Sequence, residues 1–89
     1  MIREPHEYAS RILVAAAGLS PQVVTETLYA LAVKRQPPFV PTEVHLLTTA
    51  EGAERARLSL LSGEPGWFSR FCREYEVSGV KFTEENIHV

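Results

Sequence analysis

The sequence predicts an α/β fold built on parallel strands, and three observations support this prediction. Residues 12–17 form an uninterrupted apolar run, which is typical of a parallel strand with both faces covered. Ser20 and Pro21 follow and suit a helix start, because serine is a favoured N-cap and proline fits the first helical position. A second strand-like run at 43–48 again precedes a helical pattern, so the strand–helix unit occurs twice.

The first helix is predicted from about Pro21 to about Lys34. Apolar residues recur at helical spacing on one of its faces, namely Val24, Leu28, Leu31 and Ala32. The proline-rich segment 36–41 cannot continue this helix, so a stiff connection is predicted there.

The second helix is predicted from about Thr49 to Ser62. At its start, Thr48 and Glu51 match a capping box, in which the threonine hydroxyl accepts from the third helical amide and the glutamate reaches back. The segment 63–66, Gly-Glu-Pro-Gly, is expected to end this helix.

A third helix is predicted from Trp67 to Tyr75, and strand-like pieces follow at 80–82 and 87–89 with an acidic turn between them. The predicted order is β-α-β-α-α-β, after a polar leader at residues 1–10. In doubly wound sheets the first strand lies near the middle, and this order encodes only one of its two flanks. We therefore expect residues 11–89 to be the N-terminal half of a larger domain, or to be completed by a second copy.

Composition restricts the function classes. Eighty-nine residues allow one small domain, and a net charge of -2 argues against long nucleic acid, whose many phosphates need neutralising. A small bound anion remains compatible with this charge, whereas a membrane span or secretory signal is not predicted. The single cysteine, Cys72, forms no internal disulfide and suits a cytoplasmic location. His6, His45 and His88 have no metal-ligand spacing, so no metal or other cofactor is predicted, and mid-strand His45 is expected to be structural.

The candidate ligand-binding residues follow the first two strands, whose carboxyl ends meet at the edge where open α/β sheets bind ligands. In the first loop, Gly18 and Leu19 precede Ser20, which either only caps the helix or also orients a phosphate or ribose. Neither a Gly-x-Ser-x-Gly elbow nor a Gly-x-Gly-x-x-Gly motif is present there. In the second loop, Thr48 and Thr49 either only cap the second helix or also face the same ligand.

Further candidates lie on the helices. Gln22 and Thr25 belong to a polar stripe that is either solvated or hydrogen-bonds a base or sugar. Arg55 either pairs with Glu51 or meets a phosphate. Trp67 either packs against the core or stacks on a base.

Several segments together resemble a known family. The run 12–31, with Gly-Leu-Ser-Pro-Gln-Val-Val-Thr-Glu-Thr at its centre, closely resembles the start of CRISPR-associated proteins of the CARF-like ring nuclease family. Segments 44–57, 65–68 and 87–89 are similar to that family too. The resemblance covers nearly everything after the leader, and it implies the N-terminal half of a Rossmann-like, CARF-type domain with a parallel sheet and flanking helices.

The resemblance also implies a function. Such proteins act in type III CRISPR antiviral defence and bind a cyclic oligoadenylate, such as cyclic tetra-adenylate, usually as homodimers; here a partner chain could equally complete the fold. Ring nucleases cleave the ring without metal, through attack of a ribose 2′-hydroxyl on the adjacent phosphate. Ser20 matches the serine that these enzymes place at the ligand, and Thr48 and Thr49 match the second ligand-facing loop. A non-catalytic sensor of the ring and an inactive truncated fragment are the alternatives.

Overall fold

The computed structural model describes residues 3–62 and 66–89, so the helix end predicted at 63–65 lies outside the described residues. The strands are β1 (Ile12–Ala16), β2 (Glu43–Leu47) and β3 (Ile87–His88), and the helices are α1 (Val23–Leu28), α2 (Ala50–Ala56) and α3 (Trp67–Glu74). Widened π turns continue α1 over Tyr29–Lys34 and α2 over Arg57–Leu61, and 3₁₀ turns span Pro5–Glu7 and Glu84–Asn86. The predicted order β-α-β-α-α-β is confirmed.

The three strands form one open, parallel sheet in the order β1-β2-β3. Ile12 pairs with Glu43 at one end of the register and Leu47 pairs with His88 at the other. The strand-like piece predicted at 80–82 is reduced to a single bridge between Lys81 and Glu43. It stops there because the capped 3₁₀ turn begins directly afterwards.

One hydrophobic core lies between the sheet and the helices. Val44 and Leu46 of β2 are almost completely buried in it. Apolar side chains of every described helix join them, including Val24, Leu28, Ala56, Leu60, Phe68 and Phe71. The fold is therefore a partial Rossmann-like arrangement, with parallel strands and helices that share one core.

The other face of the sheet is exposed. We call it the open face, and it carries Ile12, Val14, Glu43, His45, Leu47 and His88. Ile12 and Val14 are 56% and 57% exposed, whereas Ala15 on the core side is buried. The expectation that both faces of the first strand are covered is therefore wrong for the described residues, because their helices all pack on the same side.

The first strand is also an edge strand of this sheet. Within residues 3–62 and 66–89, β1 pairs only with β2, so its outer edge bears no strand. A free apolar edge beside an exposed apolar face is a site at which further chain can pair. Within the described ranges, no helix combines the length and the hydrophobicity that a membrane span requires.

Candidate ligand site at the carboxyl edge of the sheet

The loops that follow the strands are tied together by hydrogen bonds. The amide of Ala17 donates to the carbonyl of Leu47 (3.0 Å), which prolongs the β1–β2 pairing past the strand end. The hydroxyl of Thr48 donates to the carbonyl of Gly18 (3.1 Å), and its amide donates to the carbonyl of His88 (2.8 Å). Thr48 therefore joins the carboxyl ends of all three strands.

The start of α2 differs by one residue from the predicted capping box. Thr49, not Thr48, is the N-cap, and its hydroxyl accepts from the amide of Gly52 (3.1 Å). Thr48 precedes the cap, and its hydroxyl donates to the Gly18 carbonyl instead. The reciprocal contact from Glu51 is lost as well, because the third helical position is now Gly52.

Gly52 is a structural determinant of this edge that the sequence reasoning missed. A methyl group built on it would lie 2.1 Å from the Thr48 hydroxyl oxygen and 2.3 Å from the Gly18 carbonyl oxygen. The helix start can approach the first loop this closely only because residue 52 lacks a side chain. A glycine within the first turn of a helix was the available signal in the sequence.

Ser20 does not cap α1, and that part of the prediction is wrong. The helix begins at Val23, after a turn in which the amide of Val24 donates to the carbonyl of Pro21 (3.1 Å). A cap at Ser20 would have accepted from the amide of Gln22 or Val23, and neither hydrogen bond is present. Ser20 is exposed, and its hydroxyl makes no hydrogen bond to the described part of the chain, so it is available to a ligand.

Ser20 lines a groove of about 400 Å³, the Ser20 groove, together with Leu19, Gln22, Arg55 and Ser59. The Arg55 guanidinium lies 3.9 Å from the Glu51 carboxylate, and both side chains are more than half exposed. Exposed pairs at this distance contribute little, so Arg55 is available to bind an anion in the groove. The pairing of Arg55 with Glu51, one of the two alternatives from the sequence, is therefore present, and the guanidinium also lines the groove.

A second cavity of about 250 Å³ adjoins this groove. Gln22 and Ser59 line both spaces, and Thr25 and Trp67 complete the polar and aromatic walls of the cavity. Trp67 is 58% exposed, with the Arg70 guanidinium 5.0 Å from its ring centroid, so it is not the core anchor of the first alternative. Its indole is accessible for stacking on a base.

The structure separates the candidate residues into two groups. One group, Leu19, Ser20, Gln22 and Thr25, lines the groove and its adjoining cavity. The other group lies at the strand ends, where Thr48 is hydrogen-bonded to Gly18 and Thr49 caps α2. The groups meet within the loop 18–20. Ser59 is a second missed lining residue, and its position one turn after Arg55 on the same helical face was the available signal.

These features define an α/β domain in which a parallel sheet presents polar loops and a helix-lined groove at its carboxyl edge. The chain belongs to the family described as CRISPR-associated protein NE0113, whose family model matches residues 20–89. No curated protein and no solved structure matches the chain. The protein is therefore a CRISPR-associated protein, and the matched span includes Ser20, Gly52 and Arg55.

Proposed function

We propose that this protein binds a cyclic oligoadenylate, such as cyclic tetra-adenylate, at the carboxyl edge of its sheet and cleaves it without metal. One observation carries the proposal: Ser20 and Arg55, from two successive strand–helix units, line the same groove. Membership of a CRISPR-associated family supports it, since the sequence also resembles the CARF-like ring nucleases.

The groove suits a phosphodiester. A guanidinium is the side chain best matched to phosphate oxygens, because it offers charge and several fixed N–H donors. The Ser20 hydroxyl offers a further donor, because it is exposed and makes no hydrogen bond to the described residues. A phosphate held between Ser20 and Arg55 would have its charge neutralised and its orientation set from two sides.

The adjoining cavity suits an adenine base. The amide of Gln22 can pair with the donor and acceptor of adenine, as glutamine does in nucleic-acid recognition. The exposed indole of Trp67 can stack on the base face. Because Gln22 lines both spaces, a nucleotide can place its phosphate in the groove and its base in the cavity.

In the proposed reaction, a ribose 2′-hydroxyl attacks the neighbouring phosphorus and the bond to the 5′ oxygen breaks, which leaves a 2′,3′-cyclic phosphate. Both reacting groups belong to the ring, so the protein contributes alignment of the attack. Ser20 and Arg55 would also stabilise the negative charge that grows on the phosphate oxygens in the transition state.

We further propose that a second copy, or a partner chain, completes the ligand site. The free edge of β1 and the exposed Ile12, Val14 and Leu47 of the open face support this, because such surface favours association. Light scattering of the purified protein with and without cyclic tetra-adenylate tests it. A monomer under both conditions would contradict completion by a second copy.

Substitution of Ser20 by alanine tests the cleavage. In buffer with EDTA, the wild-type protein is expected to convert cyclic tetra-adenylate to linear product, and Ser20→Ala to slow single turnover by about 10–100-fold through loss of a positioning donor. Ser69→Ala, at an exposed position on α3, is the matched control. Because Ser20 caps no helix, its removal is expected to change stability by no more than about 0.5 kcal/mol. Wild-type turnover in Ser20→Ala would exclude the serine from the mechanism.

Substitution of Arg55 by glutamine tests the binding. We expect an affinity for cyclic tetra-adenylate about tenfold lower, because a charge-assisted contact to phosphate is lost, and a weaker dependence of affinity on salt. Arg73→Gln, on the exposed surface of α3, is the control. A gel shift with intact ring and no product supports the sensor alternative, whereas equal affinity of Arg55→Gln and the control would contradict the phosphate site.

A further inference from the structure

A further groove lies between α1 and α3, and the candidate ligand site described above does not include it. It has a volume of about 380 Å³ and is lined by Thr25, Glu26, Tyr29, Phe71 and Tyr75. We call it the tyrosine groove. Its volume falls within the range of about 300–1,000 Å³ that is typical of small-molecule sites.

Aromatic rings provide much of the surface of the tyrosine groove. The rings of Tyr29 and Tyr75 are inclined by 66° with their centroids 5.3 Å apart, so their faces form a corner and not a flat stack. The ring of Phe71 lies 4.9 Å from that of Tyr75 and is almost buried, so it closes the groove towards the core. Tyr29 and Tyr75 are 36% and 42% exposed, which leaves ring surface accessible to a ligand.

The electrostatics of the tyrosine groove favour a cation. Glu26 is the one carboxylate that lines it, and no described lysine, arginine or histidine does. Glu26 is exposed and forms no ion pair within residues 3–62 and 66–89. The face of an aromatic ring carries the negative part of its quadrupole, so the two tyrosines contribute the same sign. A phosphate would be repelled here, which distinguishes this groove from the Ser20 groove.

The groove suits a quaternary ammonium better than a primary one. A primary ammonium is strongly hydrated and needs acceptors for three N–H groups, whereas Glu26 offers the one carboxylate. A quaternary ammonium has no N–H group to satisfy, and its methyl groups can contact ring faces directly. The aromatic corner with a single carboxylate beside it therefore matches the quaternary ion.

We propose that the tyrosine groove binds a small quaternary ammonium compound of the choline type. Its trimethylammonium group contacts the ring faces of Tyr29 and Tyr75, and the carboxylate of Glu26 neutralises its charge. No residue that lines the Ser20 groove lines this one, so the binding requires neither a cyclic oligoadenylate nor its cleavage.

Titration followed by nuclear magnetic resonance tests the class of ligand. Choline chloride is expected to give saturable shifts of the ring protons of Tyr29 and Tyr75, with sodium chloride at equal ionic strength as the reference. The neutral carbon analogue of choline, dimethylbutanol, is expected to give no saturable shift, because the attraction depends on the charge. Ethanolamine, the primary ammonium counterpart, is expected to bind more weakly than choline. No saturable shift with choline, or affinity as high for either of the other two compounds, overturns the inference.

Substitutions test the place of binding. Tyr29→Leu and Tyr75→Leu are each expected to weaken choline binding by about 2–5-fold, the factor that corresponds to one exposed contact between a cation and a ring. Glu26→Gln is expected to weaken it by a similar factor, about 2–5-fold, through loss of the charge. Tyr75→Phe keeps the ring face and is expected to retain the wild-type affinity within about twofold.

Tyr8→Leu and Glu54→Gln are the matched controls for these variants. Tyr8 follows the first 3₁₀ turn and Glu54 lies on α2, and both are exposed outside the tyrosine groove. Urea denaturation checks that each variant is folded, and Glu26→Gln, at an exposed position, keeps the test valid if a leucine variant is not. Wild-type affinity in Glu26→Gln or in both leucine variants, or an equal loss in the controls, overturns the inference.

Discussion

Replacement of Leu46 by alanine is expected to destabilise the protein by about 2–5 kcal/mol, the range for deleting a fully buried leucine side chain. Leu46 lies on the middle strand and is 1% exposed, and its side chain packs in the core beneath the helices. The loss is a large fraction of the total stability of a domain this small. Urea denaturation followed by circular dichroism measures it.

The next residue is a matched control. Leu47 is on the same strand but on the open face, where it is 46% exposed. Leu47→Ala is expected to change the free energy of unfolding by less than about 1 kcal/mol at low protein concentration. A cost equal to that of Leu46→Ala would contradict the description of a sheet covered on one side. A cost that grows with concentration would support a second copy on the open face.

Replacement of Gly52 by alanine is expected to destabilise the fold by about 1–3 kcal/mol and to weaken ligand binding. In an exposed helix this change would normally stabilise, because alanine is the better helix former by about 1 kcal/mol. Here the added methyl group would lie 2.3 Å from the backbone carbonyl oxygen of Gly18, so either the first loop or the helix start must move. The sign of the effect therefore tests the close approach directly.

Gly18→Ala provides the comparison for this prediction. A methyl group at Gly18 would meet no described atom within 4 Å, so stability is expected to change by no more than about 0.5 kcal/mol. Urea denaturation of both variants gives the two free energies of unfolding, and binding of cyclic tetra-adenylate shows whether the loop has moved. A free energy of unfolding higher for Gly52→Ala than for the wild-type protein would contradict the close contact between residue 52 and the Gly18 carbonyl.

The main features of the fold were predictable because they rest on patterns within short stretches of sequence. The apolar run of β1, the proline-rich connection after the first helix and the repeated strand–helix unit led to a parallel sheet in the observed order. The edge at which we propose the ligand site followed from the same order, since loops after neighbouring parallel strands must lie together. The predicted ends of the first two helices, at about Lys34 and Ser62, agree with the structure to within one residue. Local spacing did not predict that the last turns are π turns, because it does not distinguish them from regular helix.

The details of the candidate site were less predictable, because each depends on a choice between neighbouring partners. Thr48 and Thr49 are both good caps, and only the position of the Gly18 carbonyl decides which of them contacts the loop. Ser20 is equally good as a cap in isolation, but α1 begins at Val23 with Gln22 at the N-cap position, so the Ser20 hydroxyl lies outside the helix start. In both places the local alternatives are close in energy, so the packing of other elements selects between them.

The amino-acid sequence by itself determined the α/β class, the order of the elements and the edge at which polar loops gather, because periodicity and turn residues act within a few positions of one another. Only the tertiary structure decided that Ser20 and Arg55 line one groove and that the first loop approaches the helix start closely at Gly52. It also decided that the side chains of Glu43, His45 and His88 contact one another in succession. These contacts join residues up to 43 positions apart. Their geometry arises from strand register and helix packing, which short-range sequence patterns do not encode.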